Sequence, residues 1–121
     1  MEGQEDVGLI KKFAADREIE LAFEIFGYGS GGANNIFPLL QFASDMGIKA
    51  AALFDGGVDS EMARCRNAFP RFCIESLPTT DIRDKPEKAA EGIFNSHGVI
   101  KPQWTIFLEK LLYSLNSHFE A

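Results

Sequence analysis

The chain reads as an α/β protein with a parallel sheet flanked by helices, and three observations predict this. Residues 48–54 (Ile-Lys-Ala-Ala-Ala-Leu-Phe) form a nearly continuous apolar run, as expected of a strand covered on both faces. Residues 72–77 form a second short run, which Pro78 closes. Helical apolar spacing fills the stretches between and around these runs. Alternating strand and helix signals imply a parallel sheet. Right-handed crossovers then bring the C-terminal ends of the strands to one edge, where ligands bind in such folds.

The elements follow in order. Residues 5–16 read as a helix with Val7, Ile10, Phe13 and Ala14 on one face. Residues 20–26 alternate polar and apolar, a strand with one drier face. Gly27 to Gly32 is a glycine-rich turn, and Asn34 or Asn35 is placed to cap the next helix. That helix runs to Met46 with Ile36, Leu39, Leu40 and Ala43 inward, Pro38 in its first turn and Gly47 as its stop. After the 48–54 strand, Asp59 or Ser60 caps a helix to about Phe69, and Pro70 ends it. Beyond Pro78, residues 85–94 read as a helix interrupted early by Pro86, residues 95–98 as a turn, and 102–119 as a long amphipathic helix. No internal repeat, low-complexity tract or linker is evident, so residues 1–121 are expected to form a single domain.

Composition narrows the function classes. Hydrophobic residues make up 45% of the 121, enough for an ordinary core. The net charge of −6 argues against a domain that grips nucleic acid by charge alone, because such affinity comes from Lys and Arg neutralising phosphates. It is compatible with an acidic site whose bound cations reverse the local field. Cys65 and Cys73 have neither metal-ligand spacing nor a disulfide framework and are expected as buried free thiols. No charged-then-apolar leader opens the sequence and no apolar run reaches the length of a membrane span, so a cytoplasmic protein with no membrane partner is expected.

Chemistry-bearing residues fall in three segments: Glu2-Gly3-Gln4-Glu5-Asp6, Asp55-Gly56-Gly57-Val58-Asp59 and Asp81-Ile82-Arg83-Asp84-Lys85. Each places carboxylates where a strand should end or a helix begin. A hard divalent cation needs oxygen ligands gathered in this way, and Mg²⁺ commonly takes one or two carboxylates with water and phosphate. Lys85 adds a positive charge of the kind that steadies a phosphodiester transition state. Plainer readings stand beside these. Glu2 and Asp6 suit the positive end of a helix dipole, Asp59 suits an N-cap, and the third segment suits a surface salt-bridge cluster. Asp55 directly follows a buried apolar strand, where a charge is costly without a partner. Gly27-Tyr28-Gly29-Ser30-Gly31-Gly32 also matches G-x-G-x-x-G, with Asp55 about where a ribose-binding acid of a dinucleotide fold would stand. The chain is short for the two mononucleotide halves that such a fold uses. His97 and His118 are isolated and are expected to be solvated, with no chemical role.

Together these segments resemble the Toprim domain in the version found at the C-terminal end of OLD-family (overcoming lysogenization defect) ATP-dependent nucleases. The matching stretches are Glu2-Gly3-Gln4-Glu5-Asp6-Val7, Phe26 through Asn35, Leu53-Phe54-Asp55-Gly56 and Asp81-Ile82-Arg83-Asp84-Lys85. The tail from Gly92-Ile93-Phe94 through Lys101-Pro102 is also similar. The resemblance implies a Toprim-like (Rossmann-like) sheet and an Mg²⁺- or Mn²⁺-dependent endonuclease acting on DNA. Carried over by position, Glu2 is the family's glutamate and Asp6 its helper. Asp55 is the first aspartate of an Asp-x-Asp pair, Lys85 is the basic residue, and Asp81 or Asp84 assists a second metal. In two-metal sites one ion activates water and the other steadies the leaving oxygen. On this reading the glycine-rich turn is structural or holds phosphate, which displaces dinucleotide binding.

Two departures qualify the resemblance. The second aspartate of the pair is Gly57 here, with Asp59 two residues further on. The family's first strand precedes the Glu-Gly, yet this sequence begins at Met1, so the expectation is that a partner or another segment fills that slot or that the chain is a fragment of a longer protein. The family's ATPase is also expected from elsewhere, as another chain or domain, since no Walker A lysine motif is present. The alternative expectation is a catalytically degenerate Toprim module acting in protein association, with a homo-oligomer among its forms.

Overall fold

A computed structural model of the chain describes residues 4–25 and 35–120. Among these residues it is a mixed α/β arrangement of four α-helices and two short parallel strand pairs. Helix α1 (Gln4–Asp16) follows its apolar period, with Ile10, Phe13 and Ala14 buried. Helix α2 (Ile36–Asp45) buries Ile36, Leu40 and Ala43. Leu39, expected inward, is exposed. Asn35 occupies the N-cap position of α2 without a side-chain cap bond, because its backbone (φ −82°, ψ −10°) is already helical whereas a capping side chain works from an extended backbone. The C-terminal stop is as expected. Gly47 takes φ +69°, its N–H bonds the Ser44 carbonyl at 3.2 Å, and Ile48 N–H bonds the Ala43 carbonyl at 2.8 Å.

Strand β1 (Ala51–Phe54) pairs in parallel with β2 (Cys73–Ser76), in the register Ala51↔Cys73 to Phe54↔Ser76. Helix α3 (Asp59–Ala68) makes the crossover. Its N-cap is Val58, with no side-chain cap bond. Asp59 is therefore the first helical residue rather than the cap, and its charge favours the positive end of the helix. A second parallel pair joins β3 (Asp81–Arg83) to β4 (Gly92–Phe94), with Asp81 opposite Gly92 and Arg83 opposite Phe94. The single helix expected over 85–94 is replaced by a one-turn 3-10 helix, Pro86–Lys88, followed by β4. Ala89 turns the chain at φ +52°, and the short apolar run Ile93-Phe94 is buried as strand. Periodicity cannot separate helix from strand in so short a run. A further 3-10 turn, Pro102–Trp104, leads into α4 (Thr105–Glu120), close to the predicted span.

The expected continuous sheet is thus divided in two. Pro78, which has no N–H to give a ladder, lies between β2 and β3. The strand expected over 20–26 is also not formed by residues 20–25. Its backbone groups go to a side chain instead: Ala22 N–H donates to Asn116 Oδ1, and Asn116 Nδ2 donates to the Glu20 carbonyl, each at 2.8 Å. The alternating pattern is real, but it serves packing. Leu21, Phe23 and Ile25 lie against the core, and the Phe23 and Phe119 ring centroids are 5.1 Å apart.

β1 divides the apolar interior. Leu53 belongs to a cluster with Ile10, Phe13, Ile82, Ile93, Leu108 and Leu112, whereas Ala52 and Phe54 belong to one with Ile36, Leu40, Met62 and Cys65. Alternate side chains of a strand point to opposite faces, so α1 and α4 cover one side and α2 and α3 the other. Both cysteines are free thiols; Cys65 is buried as expected, and Cys73 is only half-buried. Among the described residues, no helix is long and apolar enough to cross a membrane.

Candidate functional site

The third acidic segment proves to be a strand, and its period of two sorts its charges. Asp81, Arg83 and Lys85 fall on one side, and Ile82 and Asp84 on the other. Lys85 stays extended just past β3 because its backbone exchanges hydrogen bonds with Ala90, Lys85 N–H to the Ala90 carbonyl at 2.9 Å and Ala90 N–H to the Lys85 carbonyl at 3.2 Å.

On the first side, Asp81 Oδ1 accepts from Ile82 N–H at 2.7 Å and from Lys85 Nζ at 3.0 Å. Both side chains are largely buried, at 19% and 18% exposure, so this pair is screened less than a surface ion pair. Burial disfavours the Lys85 ammonium. The bond and charge of Asp81, with the charges of Glu5 and Asp6, outweigh it and hold Lys85 above the ordinary lysine range. The first turn of α1 therefore lies within the field of Lys85. Asp6 is buried there (7% exposed), and Glu5 pairs with Arg83 Nε.

Asp55 follows β1 at once, and its loop is tied to the same region. Gly56 N–H donates to the Thr79 carbonyl at 2.8 Å, and Thr79 Oγ1 donates to the Asp81 carbonyl at 2.7 Å. The loop that carries Asp55 is thus joined to the start of β3, where Asp81 pairs with Lys85 and Asp6 lies within the field of Lys85. Glu2 lies outside the described residues, as do Gly27 to Gly32, on which dinucleotide binding would rest. Asp59 is exposed at the start of α3 and has no described bond to this set.

Asp84 belongs to a different cluster. Its Oδ1 accepts from Lys101 Nζ at 2.7 Å and from Gly92 N–H at 3.0 Å, and these two bonds, Lys101 first, lower its carboxyl below the usual aspartate range. It joins β3 and β4 to the stretch before α4. Sequence reasoning did not single out Glu5, Arg83 or Lys101 as site residues. The strand period of residues 81–85 was the available signal for Arg83. Nothing in the sequence paired Lys101 with Asp84, 17 positions away. His97 is exposed, as expected. His118 is not simply solvated, since its Nε2 lies 2.9 Å from the Ala50 carbonyl oxygen.

Among the described residues, no group of three or more His, Cys, Asp and Glu side chains is placed to enclose a metal ion. The carboxylates of Asp6, Asp55 and Asp81 are hard oxygen donors, and Mg²⁺ commonly takes only one or two such groups, completing its shell with water and phosphate.

No protein-family model, curated protein or solved structure matches the chain.

Proposed function

We propose that this chain is a Toprim-like module of the OLD-family type that serves metal-dependent cleavage of phosphodiester bonds in DNA. The observation that supports this reading best is the half-buried Asp81–Lys85 pair, 3.0 Å apart, beside the acidic first turn of α1. On this reading one or two of Asp6, Asp55 and Asp81, together with Glu2, would hold Mg²⁺ or Mn²⁺, with water and phosphate completing the shell. The ion would supply charge stabilisation at the phosphate and lower the pKa of a bound water. Lys85 remains protonated through the neutral range and presents positive charge where a phosphoryl oxygen gains negative charge. Asp81 orients that ammonium. Asp59 is the weakest member of the set because of its exposed place on α3, and Asp84, held by Lys101 and Gly92 on the other side of β3, falls outside it.

The test is nicking of supercoiled plasmid with Mg²⁺ and with Mn²⁺, alongside Glu2→Ala, Asp55→Ala and Lys85→Ala. Metal-dependent nicking by the parent, lost in all three variants, is the expected result. Nicking that persists in all three would refute the assignment.

A second reading, a degenerate module acting in protein association through an ATPase chain or a second copy, draws on one observation. Leu39, Phe42, Met46 and Ile48 are exposed together along the end of α2, with Phe42 at 61%. Metal binding without nicking, lost in Asp55→Ala, would favour it.

A further inference from the structure

We propose that Arg83 is a positioning residue that clamps the first turn of α1 onto β3 and so fixes Asp6 relative to Asp81 and Lys85. The consequence for metal binding rests on the reading that these groups serve one site; the clamp itself does not. Three observations lead to it.

First, the start of α1 has little apolar packing of its own. Gly8 sits in the helix with no atom within 4 Å of where a Cβ would be. Glycine in a helix costs about 0.5–1 kcal/mol relative to alanine and here gains no packing in return. The buried apolar residues of α1, Ile10, Phe13 and Ala14, all lie beyond this point. Helix ends with few apolar contacts fray.

Second, Arg83 is held at both ends of its guanidinium. Nε pairs with Glu5 in the first turn of α1, while Nη1 donates to the Asp84 carbonyl at 3.0 Å. A planar fork held in two places loses less freedom in reaching its partner than a flexible ammonium would. Third, the strand period puts Arg83 on the same side of β3 as Asp81 and Lys85, between them in sequence. Glu5 directly precedes Asp6, so fixing one fixes the backbone of the other.

An exposed ion pair adds little to global stability, and Glu5 is 46% exposed. The clamp should therefore show as local order more than as a change in melting temperature. The experiment compares the full chain with Arg83→Ala, Arg83→Lys, Glu5→Ala and the exchange Glu5→Arg/Arg83→Glu. Amide exchange is read at Gly8 and Leu9, whose N–H groups close the first turn, and Mn²⁺ affinity is read by calorimetry. Faster exchange at these amides in Arg83→Ala and Glu5→Ala is expected, with little change in melting temperature. Mn²⁺ affinity should weaken about tenfold or more, as for partners that orient metal ligands. Arg83→Lys should recover part of both effects, and the charge exchange most of both.

Unchanged exchange in Arg83→Ala overturns the clamp, whatever the metal result. Faster exchange in a chain that binds no Mn²⁺ keeps the clamp and removes the metal reading. Faster exchange with undiminished Mn²⁺ affinity shows that the clamp does not position metal ligands, and overturns that part of the inference.

Discussion

Gly56 and Thr79 meet closely enough to exclude any side chain at position 56. The Gly56 N–H donates to the Thr79 carbonyl at 2.8 Å, and a Cβ at Gly56 would stand 2.6 Å from that same oxygen. This contact ties the loop after β1, which carries Asp55, to the stretch that begins β3 at Asp81. Gly56→Ala presses a methyl group against the Thr79 backbone, and overpacking of this kind costs about 1–3 kcal/mol. We expect a melting temperature lower by roughly 4 °C for each kcal/mol lost, followed by circular dichroism. An unchanged melt would mean that the loop and Thr79 separate at little cost.

Gly57 behaves differently, although it is the next residue. Its φ of +87° disfavours a side chain, but a Cβ there would meet nothing within 4 Å. Gly57→Asp should therefore fold with a penalty of about 1–2 kcal/mol for the left-handed backbone. It adds a carboxylate two positions after Asp55, so tighter Mn²⁺ binding by calorimetry is the expected outcome. Affinity no better than that of the parent would count against position 57 as a ligand position.

The Asp84 cluster sets an acid-side dependence. Lys101, then the Gly92 N–H, lowers the Asp84 carboxyl in the folded chain. A carboxyl lowered on folding stabilises the fold above its unfolded pKa of about 3.9 and loses that contribution as pH falls through the folded value. Asp84→Asn keeps an acceptor oxygen and removes the charge. Its melting temperature should lie below the parent's at pH 7, and the two should converge as the pH falls below about 4. A gap that stays constant down to about pH 2 would remove the charge of Asp84 as its cause.

Asn116 holds residues 20–22 through two 2.8 Å bonds from a buried position on α4. Asn116→Leu leaves the Ala22 N–H and the Glu20 carbonyl without this partner, at about 1–3 kcal/mol. The expected signature is a lower melting temperature together with faster proteolysis near Phe23. If neither changes, those backbone groups are satisfied by water without loss.

The sequence by itself determined what short-range pattern can determine. The apolar face of α1, the Gly47 stop of α2, the doubly covered strand ending at Phe54, the strand before Pro78 and the long α4 all follow from side-chain period and from the backbone demands of Gly and Pro. It also placed Asp55 directly after a strand, whereas Asp81, expected to follow the 72–77 strand, instead opens β3. Tertiary structure decided the rest, because the deciding groups are far apart in the chain. Residues 20–25 alternate like a strand, yet Asn116, more than 90 positions on, takes their backbone hydrogen bonds. Residues 92–94 carry too few apolar positions to show a period, and pairing with β3 makes them a strand. That pairing then separates Asp81 and Lys85 from Asp84, and only the fold brings Glu5 of α1 to Arg83 across 78 positions.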